Sequence, residues 1–155
     1  MYERILVALD GSEIAEQVLP HAEALAQAFG STLILLRAST SPQKLMAELS
    51  PGLDVATPVV LDPTEILEDE QSEIAQYLKG VAGRLRANGA KVQTDEPPGD
   101  AADEIVQRAS DLGADLITMT THGRSGLKRL VFGSVAQSVL THATCPVLLV
   151  RVTEE

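Results

Sequence analysis

Two textures alternate along this chain. The first is a short, unbroken apolar run, seen at Ile5–Leu9, Thr32–Leu36, Leu116–Thr120 and Pro146–Arg151. Runs of this length bounded by turn residues suit strands buried on both faces. A shorter and more polar run, Lys91–Thr94, predicts a fifth strand. The second texture is spacing by three and four. Ala15, Val18, Ala22, Leu25 and Phe29 form one such stripe, Ile74, Leu78, Val81 and Leu85 another, and Ile105, Ala109 and Leu112 a third. Each predicts an amphipathic helix, and a further helix is expected from about Ser134 to Thr141. Pro20 falls inside the first stripe and predicts a kink or break there. Gly30, Asn88-Gly89 and Gly113 supply helix stops.

Strands therefore alternate with helices, which predicts an α/β fold: an open five-stranded parallel sheet with helices on both faces. In such sheets ligands sit beyond the carboxyl ends of the strands, where strand order reverses. The segments at Asp10, at Ala38 and at Thr120–Gly133 all leave carboxyl ends of predicted strands. Residues 39–64 interrupt the alternation. They hold Pro42, Pro51, Pro58 and Pro63 and read as an irregular insert, with a short helix expected at Leu45–Leu49. Asp62–Glu73 carries six acids and no base, the pattern of a solvated face leading into a helix.

Composition narrows the class. A chain of 155 residues suits one domain with a real core. No apolar run approaches the roughly 18 residues of a membrane span, and Met1–Ile5 lacks the basic-then-apolar order of a secretory signal. Cys145 is the only cysteine, so no internal disulfide is possible, which fits a reducing cytoplasm. The net charge of −10 argues against nucleic acid or an anionic membrane as partner. The charge is uneven, however. Leu116–Thr153 has no acid and carries Arg124, Lys128, Arg129 and Arg151, so this stretch is +4 and the remainder −14. That is either a local anion site or the ordinary fluctuation of a short window.

The acid-free stretch contains "TTHGRSGLKRLVFGSVAQSVL", Thr120 to Leu140. Gly133-Ser134 lies at the start of the last predicted helix. A helix start offers free N–H groups and a partial positive charge, which suits a phosphate. Gly133 would allow close approach, and the Ser134 hydroxyl a hydrogen bond. Ser134 to Gln137 also spells a capping box, which needs no ligand, and so does Asp10 to Glu13 at the first helix. The stretch has neither the Gly-Lys-Ser/Thr of a Walker A loop nor the dinucleotide Gly-x-Gly-x-x-Gly pattern. His21, His122 and His142 have no metal-ligand spacing with Cys145 or with a carboxylate cluster. No nucleophile, base and orienter stand together, so neither a catalytic residue nor a metal site is expected. His122 reads as structural and Cys145 as a small buried residue.

These residues together resemble the universal stress protein family. The likeness covers most of the chain. It is strongest over Ile5–Ala38 and Ala114–Arg151 and weakest over the insert. "ILVALDGSE" and "CPVLLVR" look like the family's first and last strands. Nucleotide-binding members carry Gly-x2-Gly-x9-Gly-Ser/Thr, and here Gly123, nine residues, Gly133 and Ser134 fit its last three fixed positions. The first glycine falls on Thr120, and Gly126 does not replace it, since only six residues separate Gly126 from Gly133. A β-branched residue adds bulk and avoids positive φ. Thr120 therefore matters if that glycine serves phosphate approach, and does not if it merely ends a strand.

The resemblance implies a single domain over residues 1–155. It implies a Rossmann-like open sheet with strand order 3-2-1-4-5. It also implies a cytoplasmic stress-response protein that binds ATP or another adenine nucleotide, with Mg or Mn as a possible ion, and that has slow hydrolysis or none. Ala8 and Ala38 would then line the adenine, and Asp10 would meet the sugar or the ion. Gly123, Gly133, Ser134 and Val135 would cradle phosphates, with Thr120 beside them. Arg124 is added as the nearest charge. A homodimer through residues 146–152 is implied as well, because the last strand is apolar on both faces and lies at the sheet edge. The competing readings are a dimer of the same fold without nucleotide and, further off, an adenylating enzyme. The latter would carry Ser-Gly-Gly-x-Asp-Ser where this chain has Asp10-Gly-Ser-Glu-Ile.

Overall fold

The computed structural model describes residues 1–49, 62–122 and 132–152. Five strands, β1 (Arg4–Ala8), β2 (Thr32–Leu36), β3 (Lys91–Asp95), β4 (Leu116–Thr120) and β5 (Val147–Val150), form one sheet in the order β3-β2-β1-β4-β5. Every pairing is parallel. This is the expected sheet in the expected order. The first three strands build outward from β1 in one direction, and β4 and β5 in the other. The order therefore reverses between β1 and β4.

Helices cover both faces, which is why the inner strands are mainly apolar. Ile5, Val7 and Leu9 alternate with Leu6 and Ala8 along the first strand and its exit. The first set packs with α2 (Leu19–Phe29) and α4 (Pro63–Ala87), and the second with α5 (Ala101–Asp111) and α6 (Ser134–His142). Ile5, Leu6 and Val7 are fully buried, each contributing roughly 1.5–3 kcal/mol of transfer free energy. The helical stripes fall where the spacing puts them: Ile74, Leu78, Val81 and Leu85 of α4 and Ile105 and Ala109 of α5 are buried. Phe29, the last member of the first stripe, is 44% exposed and meets Tyr2 edge to face at 5.3 Å.

The first stripe is split at Pro20. A short α1 (Glu13–Glu16) ends before it, and α2 starts at Leu19 with Pro20 in its first turn. A missing N–H costs nothing there. Gly30 then closes α2 in the left-handed region at φ 69°. Within the insert, Pro42–Leu49 is helical as α3, beginning three residues before the expected Leu45, and α4 begins at Pro63 under an Asp62 cap. The rest of the insert, residues 50–61, lies outside the described residues.

One helix start corrects the sequence reading. The cap of α1 is Ser12, whose Oγ accepts from the Ala15 amide at 3.1 Å, and not Asp10. Asp10 sits one step further back and accepts from the Ser12 amide at 2.9 Å and from its hydroxyl. The turn works because Gly11 has φ 85°, and its missing side chain leaves room for the Arg37 guanidinium, which lies 2.6 Å from where a Cβ would stand. Arg37 in turn stacks over the Tyr77 ring of α4, 5.2 Å from its centre. The exit of β1 is thus held from both sides, by its own Asx turn and by a cation pressed onto it from the exit of β2.

Candidate functional site

The reversal of strand order opens a cavity of 260 Å³ at the carboxyl ends of β1 and β4. Its walls come from four places. Ala8, Leu9 and Asp10 leave β1, with Ala15 of α1 behind them. Met119, Thr120 and Thr121 end β4. Ala101 and Ile105 come from α5, and Gly133 to Ala136 open α6. The location is the one that open parallel sheets use for ligands.

Helix α6 starts in a way suited to an anion. Its N-cap is Gly133, and no side chain caps it. The expected box between Ser134 and Gln137 is therefore not formed. Ser134 is already the first helical residue, and the Gln137 amide bonds the Gly133 carbonyl at 3.0 Å. By position, the amides of Ser134, Val135 and Ala136 have no acceptor within the helix. All three residues line the cavity. Gly133 itself has φ −57°, where any residue is comfortable, and among the described residues a Cβ on it would meet the Thr121 carbonyl oxygen at 3.4 Å and the His122 Cα at 3.9 Å, both ordinary contacts. Among the described residues, neither the backbone angles nor the neighbours demand a glycine here.

The base of the segment between β4 and α6 is tied. Gly133 N donates to the Thr121 carbonyl at 2.9 Å, and Thr121 N donates to the Val150 carbonyl at 3.0 Å. Thr120, buried to 5% exposure, donates its hydroxyl to the His122 carbonyl at 2.7 Å. Its backbone is ordinary strand, and among the described residues only glycines have positive φ. The conformational objection to threonine at this position is thereby removed.

Of the residues singled out in the sequence, Ala8, Asp10, Thr120, Gly133, Ser134 and Val135 are brought together around the cavity. Ala38 is at the same end of the sheet but does not line it. It continues β2 beside residues 95–99, with Arg37 N and Ser39 N bonded to the carbonyls of Asp95 and Pro97. Gly123 and Arg124 lie outside the described residues. Sequence reasoning missed the α5 wall, Ala101 and Ile105, and also Leu9, Ala15, Met119, Thr121 and Ala136. Small and apolar residues at helix or strand spacing read as core, and only the end of the sheet they occupy marks them as lining.

Asp10 is the only ionisable side chain among the described residues that line the cavity. No group of three or more His, Cys, Asp or Glu that could hold a metal occurs among the described residues. Burial, aided by the charge of Asp115, pushes the Cys145 thiol above its ordinary value. His142 is exposed on α6 and bonds the Ser138 carbonyl at 2.8 Å. No helix among the described residues is long and apolar enough to cross a membrane.

Fold and cavity define a doubly wound α/β protein with an anion-suited pocket at its topological switch point. The chain belongs to the universal stress protein family, whose model matches residues 1–151. A universal stress protein of Methanocaldococcus jannaschii is 33% identical over 153 residues, covering 97% of this chain and 83% of that one. A second protein of that organism, MJ0577, is 30% identical over 155 residues. Its solved structure superposes with a TM-score of 0.82 over 100% of this chain and 99% of its own. A universal stress protein of Archaeoglobus fulgidus, solved in complex with dAMP, shares the fold at 22% identity and a TM-score of 0.67, covering 96% of this chain and 97% of that one. Another, solved in complex with cAMP, does so at 22% and 0.66, covering 98% of each chain.

Proposed function

We propose that this chain is an adenine-nucleotide-binding universal stress protein that acts as a dimeric regulator in the cytoplasm, with ATP as its ligand. The observation that carries the reading is the uncapped start of α6. Three amides without an intrahelical acceptor open onto a cavity at the switch point, behind a glycine that the backbone does not require. A phosphate supplies the acceptors that these amides lack. The dAMP and cAMP complexes of the two fold relatives support an adenine nucleotide as the chemical class.

In this reading the phosphates lie on Gly133, Ser134 and Val135, and the Ser134 hydroxyl, which makes no capping bond, adds a donor. Ala8 and Met119 give the purine an apolar wall. Asp10 faces the ribose hydroxyls or a Mg or Mn ion carried by the phosphates, since a carboxylate directly against a triphosphate is repulsive. Gly123 belongs to the same phosphate cradle by the family pattern, Arg124 joins it as the nearest charge in sequence, and Ala38 goes to the adenine side. Asp10 is the one ionisable side chain among the described residues that line the cavity; in this reading the output is a change of shape or partner, with hydrolysis slow or absent.

The test is thermal unfolding of nucleotide-stripped protein with ATP and Mg, and with GTP. A ligand that binds only the native state at a hundredfold over its Kd adds about 2.7 kcal/mol, a rise on the order of 5–10 °C for a chain of this size. The expected result is such a rise with ATP and none with GTP. No rise at millimolar ATP leaves the same fold acting as a non-nucleotide dimer.

A further inference from the structure

The position where this chain departs from the family's glycine pattern is also the position that ties the site together. Thr120 is the last residue of β4, lines the cavity and is 5% exposed. Its hydroxyl donates to the carbonyl of His122, two residues on, at 2.7 Å. That bond fixes the bend by which the chain leaves the sheet. The bend aims the Thr121 carbonyl at the Gly133 amide, 2.9 Å away, and so sets where α6 begins. The Thr121 hydroxyl completes the knot. It accepts from the Val152 amide at 3.4 Å and shares a hydrogen bond with His122 Nδ1 at 3.1 Å.

We propose that Thr120 is a positioning residue of the nucleotide site: its hydroxyl clasps the exit of β4, which holds the free amides of α6 in place against the cavity before ligand arrives. The inference rests on the nucleotide reading above. A glycine at this position gives an open backbone with more freedom to lose on binding. Threonine fills the space and replaces that freedom with a side-chain bond. Holding a site in its bound geometry raises affinity by cutting the ordering cost.

The test compares the wild type with Thr120→Val, which keeps the shape and removes the hydroxyl, Thr120→Ser, which keeps the hydroxyl, and Thr120→Gly. Two readouts are taken on the same samples: hydrogen exchange of the Gly133 amide in the nucleotide-free protein, and ATP–Mg affinity by calorimetry. Loss of one such bond is expected to speed Gly133 exchange roughly fivefold and to weaken ATP roughly fivefold in Thr120→Val. Thr120→Gly is expected to be affected at least as much, and Thr120→Ser to match the wild type. Unchanged Gly133 exchange in Thr120→Val overturns the clasp. Faster exchange with unchanged affinity, or tighter ATP binding by Thr120→Gly, overturns the positioning role. A wild type that binds no ATP sinks the nucleotide reading and the positioning role with it, while the exchange readout still decides whether the clasp exists.

Discussion

A glycine stands at position 133 although its backbone angles suit any residue and a Cβ would make only ordinary contacts among the described residues. Gly11 is the opposite case, since its positive φ disfavours any side chain and a Cβ there would also push the Arg37 guanidinium aside. The sequence shows two glycines beside predicted helix starts, and only the backbone angles separate the one that the turn requires from the one that it does not. The caps were misread for a related reason. Ser, Asp and Thr all bond locally, so Asp10 and Ser134 were each spelled into a box, whereas Ser12 and Gly133 hold the cap positions. Tyr77 stands outside the helical stripe of α4, yet its hydroxyl donates to Glu16 at 3.0 Å and its ring carries Arg37. Burial first, then the bond to Glu16, push the Tyr77 phenol well above its ordinary value. A raised folded-state value means that this stabilisation is complete below the unfolded tyrosine value of about 10 and is lost as pH rises beyond it. Tyr77→Phe is therefore expected to cost about 1 kcal/mol at neutral pH. In chemical denaturation the gap to wild type should narrow above pH ~10, and a gap that widened there would contradict the assignment.

Among the elements, β2 and β4 were legible to the residue, because an unbroken apolar run between turn residues has one reading in an alternating chain. The long α4 was half legible. Its stripe from Ile74 onward is plain, but the turns after Pro63 are mostly polar, with Ile66 and Leu67 only half-buried, so no apolar period announces them. The two edge strands differ in a way that the sequence does record. The edge strand β3 is exposed at Lys91, Gln93 and Thr94, a charged and polar edge that discourages further pairing. Helix α4 carries Gly80 and Gly83 on its exposed side, where a Cβ at either would meet nothing within 4 Å. Interior helical glycines cost about 1 kcal/mol relative to alanine. Gly80→Ala and Gly83→Ala are expected to stabilise the protein by about 0.5–1 kcal/mol each in urea denaturation, additively. Destabilisation by either would mean that this face is covered in the working protein.

For the molecule as a whole, the opposite edge is the informative one. The edge strand β5 pairs only with β4 within the sheet, and Val147, Leu148 and Leu149 remain half-buried, with Leu140 of α6 exposed nearby in sequence. Pairing with its own copy across a two-fold axis would cover that edge. Light scattering on micromolar protein is expected to give twice the chain mass, and a monomer would contradict the proposed dimer. Architecture was legible at this scale because strand–helix alternation admits few arrangements. The cavity was not, because its walls come from four separated segments that only the sheet order brings together.

The most direct measurement is a titration of ¹⁵N-labelled protein with ATP and Mg, followed at the backbone amides. The largest shifts are expected at Ser134, Val135 and Ala136, with smaller ones at Ala8 and Asp10. In Gly133→Val, whose branched side chain would stand where a phosphate approaches, these shifts should vanish from an otherwise folded spectrum. Shifts centred away from the start of α6, or undiminished in Gly133→Val, would contradict the placement of the phosphates on this helix.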